Sequence, residues 1–201
     1  MMDIFDRMLL DNRAWAQEMV ELSPAYFRRL SKVQTPEVLW LGCSDSRAPA
    51  EIVLNADPGE MFVHRNIANQ LLDVDINARS VLQYAVEVLN VGHIVVCGHY
   101  NCGGVLAALA EPDPQLPIVN DWLRNVRETI SLHQDELSNI PDENLRNRRL
   151  VELNVLRQVS HLEESPIVQS AWSRRRSLVL HGCVYGVEDG LIKEMTRIHP
   201  R

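Results

Sequence analysis

Little in this 201-residue chain is long, basic or repetitive. No stretch is apolar for long enough to cross a bilayer, so no membrane-spanning helix and no membrane partner is expected. The amino terminus places Asp3 and Asp6 in its first turns, with no long apolar core behind a basic head, so no secretory signal is expected there. Basic residues number 20 against 27 acidic ones, a net charge of −7, and their densest run is the triplet Arg174-Arg175-Arg176. Nucleic acid is therefore not expected as a partner. Internal repeats and low-complexity linkers are lacking too, and the length suits one domain over residues 1–201. Cysteine is sparse, at 43, 97, 102 and 183. Without an export signal these are expected to be reduced thiols in a cytoplasmic protein, serving as ligands or core residues.

What the chain does have is apolar runs that stop at reactive side chains. Ile94-Val95-Val96-Cys97-Gly98 has the β-branched character of a buried parallel strand, and it runs into His99-Tyr100-Asn101-Cys102-Gly103-Gly104. Open parallel sheets carry their chemistry just beyond the carboxyl ends of the strands. An imidazole and a thiolate three residues apart there can converge on one ion, and the two glycines let backbone approach a small ligand as a helix opens. After a break at Thr35-Pro36, residues 37–42 read as the first strand and end in Cys43-Ser44-Asp45-Ser46-Arg47. If that loop bends, Cys43 supplies a second thiolate, and Asp45 and Arg47 come close enough to pair. A lone cysteine after a strand is more often core filler. Its company with His-x-x-Cys after a second strand makes Cys43 a ligand candidate.

Residues 61–64 read as a short second strand, 75–90 as a long helix feeding the strand at 94–98, and 118–135 and 142–163 as further helices. Ser165-Pro166 starts another helix, and 177–185 reads as a fourth strand. This succession predicts an α/β fold, a mostly parallel sheet flanked by helices. The first thirty-odd residues read as helical, with starts at Asp3, Asp11 and Ser23-Pro24. No strand precedes them for a crossover to pack upon. Residues 1–34 are therefore expected to be an arm packing on a partner subunit, ahead of a core at 35–201; on pattern alone, a hairpin covering its own domain remains open. Cys97 and Cys183 are expected as core thiols, His64 and His181 as hydrogen-bonded structural residues and His93 as an exposed one. Tyr100 and Asn101 are assigned nothing, and Arg174 to Arg176 is expected to be a solvated helix end.

The pairing of Cys43-Ser44-Asp45-Ser46-Arg47 with His99-Tyr100-Asn101-Cys102-Gly103-Gly104, with His64-Arg65-Asn66-Ile67-Ala68-Asn69 between them, resembles the β-class carbonic anhydrases. Trp40, Arg65 and Tyr185 match the subgroup in which bicarbonate occupies a second, regulatory pocket. The resemblance implies one zinc ion per subunit, held by Cys43, His99 and Cys102, with a fourth position for water. Zinc acidifies that water into a hydroxide that attacks carbon dioxide, giving bicarbonate and a proton. Asp45, held by Arg47, would accept the hydrogen bond that orients the attacking oxygen, and backbone donors near Gly103 would receive the developing charge.

In the regulated subgroup the same aspartate leaves its arginine and takes the fourth zinc position, a closed form favoured by low pH and by bicarbonate at Trp40, Arg65 and Tyr185. The substrate pocket implied by the family comprises Ala48, Tyr84 and Val88, with Gln34 contributed across a dimer interface; Ala48 stands where valine is more usual. Self-association to a dimer or tetramer is implied as well. Two further readings remain: a module that only binds zinc or bicarbonate, and a hydrolase of carbon disulfide or carbonyl sulfide on the same scaffold.

Overall fold

The structure, a computed structural model, describes residues 2–200. Its contacts divide the chain into two compact units, Met1–Thr35 and Pro36–Arg201. In the first, helix α1 (Ile4–Leu22) is capped by Asp3, whose side chain accepts the Phe5 N–H at 2.8 Å. It runs unbroken through Asp11, where the sequence suggested a second start; one aspartate on an exposed face does not stop a helix already nucleated. Helix α2 (Tyr26–Leu30) begins beyond the Ser23-Pro24 turn with no side-chain cap. Trp15 packs edge-to-face on Tyr26 and Phe27, tying the two helices together. No residue of α1 is buried, and Ile4, Phe5, Met8, Leu9, Leu10 and Trp15 all stand exposed.

The second unit is built on a five-stranded sheet: β1 (Val38–Cys43), β2 (Met61–Asn66), β3 (His93–His99), β4 (Val179–Tyr185) and β5 (Ile192–Ile198), in the order β2-β1-β3-β4-β5. The first four strands are mutually parallel and β5 is antiparallel to β4. Strand β5 was missed in the sequence because Ile192-Lys193-Glu194-Met195-Thr196-Arg197-Ile198 carries charges on an edge and never forms an apolar run. The helices are α3 (Ala50–Val53), α4 (Ile76–Gln83), α5 (Gly103–Leu109), α6 (Pro117–Trp122), α7 (Arg124–Leu132), α8 (Gln134–Ser138), α9 (Glu143–Glu164) and α10 (Pro166–Ser173). The expected helix at 75–90 is α4 continued by a π-helical segment, Tyr84–Leu89, which ends at Asn90 in the left-handed region. The expected helix at 118–135 is three short ones, α6 to α8.

Alternation along the strands sorts the side chains onto two faces. Leu39, Leu41, Ile94, Val96, Leu180 and Val184 face the main core, where α9 buries Leu150, Val151, Val155, Val159 and Leu162. Helix α9 approaches so closely that a Cβ on Gly98 of β3 would lie 2.7 Å from Val155 Cγ2. The other face carries Trp40, Cys97 and Cys183 in a smaller cluster with Ala50, flanked by Met61, Val63, Val95, Tyr185 and Ile192. Burial pushes the Cys97 thiol up, and likewise Cys183, to about 11, as expected of core thiols.

Candidate metal centre

The carboxyl ends of β1 and β3 are neighbours in the sheet, so the chain that leaves each strand arrives at one place. Cys43 closes β1, His99 closes β3, and Cys102 stands immediately before α5. All three are buried and free of disulfides, and their ligand atoms lie within 4.8 Å of one another. Their arrangement meets the demands of a tetrahedral ion. Cys43 Sγ and Cys102 Sγ are 3.8 Å apart. Two thiolates ~2.3 Å from one zinc ion in tetrahedral geometry would be about 3.8 Å apart. His99 Nδ1 lies 3.0 Å from the Tyr100 carbonyl, to which it donates, so the Nε2 lone pair points the other way. That Nε2 is buried with no hydrogen-bond partner, an orphan that a metal would satisfy.

The electrostatics agree with the geometry. The hydrogen bond from the Cys102 thiol pulls Cys43 down to about 4, while the Cys43 thiolate beside it pushes Cys102 up: the pair shares one proton. Burial works to lower His99, but the neighbouring Cys43 and Asp45 outweigh it and raise the imidazole. Asp45 lies just outside this group, its Oδ2 3.7 Å from His99 Nε2. Arg47 clamps it with Nε on Oδ1 at 2.9 Å and Nη2 on Oδ2 at 2.8 Å, and the Arg47 backbone N–H adds a third bond at 2.9 Å. That clamp holds the carboxyl well below the usual carboxylate range.

Several supports of this loop were not legible from spacing. Arg65, expected in a regulatory pocket, donates from Nε to the Cys43 carbonyl at 2.7 Å and from Nη2 to the Asp45 carbonyl at 2.5 Å, so it braces the loop carrying both residues. Asn101 adopts a left-handed conformation and its carbonyl accepts Arg47 Nη2 at 3.1 Å. Tyr100 donates to Glu152 at 2.9 Å under the Arg148 guanidinium. Helix α9 turns Asn154 and Gln158 inward to the chain after β2: Asn154 donates to the Ala68 carbonyl at 3.0 Å and Gln158 accepts the Leu71 N–H at 2.8 Å. The signal for that was available in the polar residues interrupting the apolar stripe of 142–163. The triplet at 174–176 is more than a solvated end, since Arg176 reaches back to the Val86 carbonyl and Arg174 to Glu87.

The remaining candidates are distributed unevenly. Trp40, Arg65 and Tyr185 fall on one face of the sheet, the face opposite the main core. Trp40 is buried, and its indole Nε1 has no partner. Ala48 is buried, whereas Tyr84 and Val88 lie one turn apart on the exposed side of the π-helical segment, Tyr84 against the Phe62 ring. Gln34 is exposed in the first unit. Gly103 has open space where a side chain would stand.

An open α/β sheet whose strand ends converge two thiols and an imidazole beside a clamped carboxylate defines a metal-dependent enzyme of the Cys-His-Cys type. The family model described as carbonic anhydrase matches residues 38–192. A carbonic anhydrase of Emericella nidulans is 46% identical over 190 residues, covering 94% of this chain and 82% of that protein. One of Saccharomyces cerevisiae is 32% identical, covering 96% and 91%. Among solved structures, a tetrameric β-carbonic anhydrase of Sordaria macrospora superposes with a TM-score of 0.92 at 39% identity, covering 96% of this chain and 98% of that one. The Coccomyxa β-carbonic anhydrase gives 0.93 at 38%, covering 98% and 89%. The chain belongs to the β-class carbonic anhydrases. No helix among the described residues is long and apolar enough to cross a membrane.

Proposed function

We propose that this chain catalyses the reversible hydration of carbon dioxide at a zinc ion held by Cys43, His99 and Cys102. The observation that carries the reading is the convergence of those three buried ligand atoms within 4.8 Å, with His99 Nε2 lacking any other partner. Zinc, when bound, makes water nucleophilic near neutral pH and supplies the attacking oxygen. The residues around it do the rest. Asp45, kept ionised by Arg47, is an acceptor only, so it takes a proton-bearing oxygen's hydrogen bond and turns a lone pair toward the carbon. Arg65 and the Asn101 carbonyl fix where that carboxylate sits. The backbone N–H groups of Gly104 and Val105 at the start of α5 bond the Cys102 sulfur and favour its thiolate, and donors near Gly103 would receive the developing negative charge.

Regulation and assembly belong to the same reading. Asp45 lies 3.7 Å from the orphaned His99 nitrogen, so a modest side-chain rotation would exchange Arg47 for the metal and close the centre. Bicarbonate held by Trp40, Arg65 and Tyr185 would favour that exchange; the unpartnered Trp40 Nε1 is a donor suited to an anion, and Arg65 already links that face to the Asp45 carbonyl. Self-association, supported by the tetrameric relative, would cover the apolar surface of α1 and bring Gln34 of one chain to Ala48, Tyr84 and Val88 of another. Residues 1–34 thus act as an arm to the core at 35–201. The test is stopped-flow hydration from pH 6.5 to 9 on zinc-loaded protein, with and without added bicarbonate. Activity that rises with pH and is suppressed by bicarbonate is expected. Absence of hydration with zinc bound would reduce the protein to a binding module.

A further inference from the structure

At the opposite end of the sheet, two histidines that the hydration reaction does not use face one another. His93 opens β3, whereas His99 closes it, six residue steps along an extended chain, roughly 20 Å. His93 Nδ1 lies 3.0 Å from His181 Nε2 of the neighbouring strand β4. On its far side His181 Nδ1 lies 2.7 Å from Glu194 Oε1 of β5, and Glu194 is itself gripped by Arg197 at 3.0 and 2.9 Å. Arg197 holds Glu194 below its ordinary range, so the carboxylate only accepts and His181 carries its proton on Nδ1. With that tautomer His181 Nε2 is the acceptor in the contact and the His93 Nδ1–H donates to it. Burial lowers the His93 pKa.

We infer that His93 Nδ1 and His181 Nε2 form a second metal site, for a divalent transition ion of tetragonal preference, with Glu194 orienting His181 from behind. A hydrogen bond now holds the two nitrogens 3.0 Å apart; at ~2.05 Å from one ion they would stand ~2.9 Å apart in a right-angled site and roughly 3.3 Å in a tetrahedral one, so an ion could take the proton's place with little movement. The right-angled pair is the geometry of copper(II) and nickel(II), and the zinc centre at the other strand end has the tetrahedral spacing instead. A carboxylate on the non-ligating nitrogen fixes tautomer and ring orientation and raises basicity. On binding, His93 transfers its Nδ1 proton through solvent to Nε2, which is possible because the residue is exposed. Water completes the coordination.

The experiment is calorimetric titration of zinc-loaded protein with nickel(II) chloride, a probe that does not oxidise the buried Cys97 and Cys183, with zinc assayed before and after. One nickel per chain is expected with zinc retained. Binding should be abolished in His93→Ala and in His181→Asn, and weakened about tenfold in Glu194→Gln. Carbon dioxide hydration by His93→Ala without nickel should match the wild type, which certifies the fold. No nickel uptake, uptake matched by zinc release, or uptake unchanged in the two histidine variants would overturn the site.

Discussion

Arg47 holds Asp45 by two parallel N–H···O bonds of 2.9 and 2.8 Å, and the same Nη2 that makes the second also reaches the Asn101 carbonyl between His99 and Cys102. The clamp is therefore anchored to both loops of the site at once. Replacing Arg47 by Ala frees the carboxylate to turn toward the metal. Hydration should fall on the order of 100-fold with zinc content unchanged, the size of effect seen when one positioned polar group is lost. Steady-state kinetics beside metal analysis check it; a proportional loss of zinc would mean the arginine only supports folding.

The same clamp sets a pH window. Asp45 is held below its unfolded value, so its stabilising contribution is fully present above about pH 4 and is lost as pH falls through the depressed native value. Urea denaturation of wild type and Asp45→Asn should differ by a constant amount from pH 6 to 9, with the gap narrowing only in acid. Loss of activity between pH 9 and 6.5 must then come from a change of partner by Asp45 or from the metal site. A stability gap that narrows already at pH 7 would contradict this.

Metal removal has a direct expectation. Cys43→Ala and His99→Ala each take away one of the three buried groups proposed to hold zinc, so stoichiometric zinc should be lost together with hydration. Atomic absorption on purified variants decides the point.

Asn154→Ala leaves the Ala68 carbonyl without its 3.0 Å donor, inside a segment where Ala68 and Asn69 both have positive φ. The expected cost is about 1–3 kcal/mol, read from chemical denaturation. Activity per zinc should fall as well, because residues 66–70 neighbour the Cys43 loop through the Ser44 N–H bond to the Asn66 carbonyl at 3.0 Å.

Trp40→Phe retains a ring and removes the orphaned indole N–H. Bicarbonate suppression of hydration should weaken several-fold while the activity without bicarbonate is kept. Equal suppression in both proteins would remove Trp40 from the regulatory pocket.

The strands and the convergence of Cys43, His99 and Cys102 were legible because buried parallel strands are continuous apolar runs and because those three residues sit where such runs stop. Strand β5 was not, since an edge strand needs no apolar face; Lys193, Glu194 and Arg197 disguise it. Long-range bracing was not legible either. Arg65 on the Cys43 and Asp45 carbonyls, and Asn154 on the Ala68 carbonyl, are side-chain to backbone bonds across 20 to 86 residues, which no local pattern encodes. Asn101 was passed over for a related reason: its part is played by a left-handed backbone and a carbonyl rather than by its side-chain chemistry.

The role of Asp45 is decided by stopped-flow hydration by wild type and Asp45→Asn at pH 8.5, each with zinc measured at one per chain. Rapid hydration is expected of the wild type and a loss of roughly 100-fold in the variant, whose amide no longer presents an acceptor-only carboxylate. Equal rates in the two proteins, both fully loaded, would contradict the role given to Asp45.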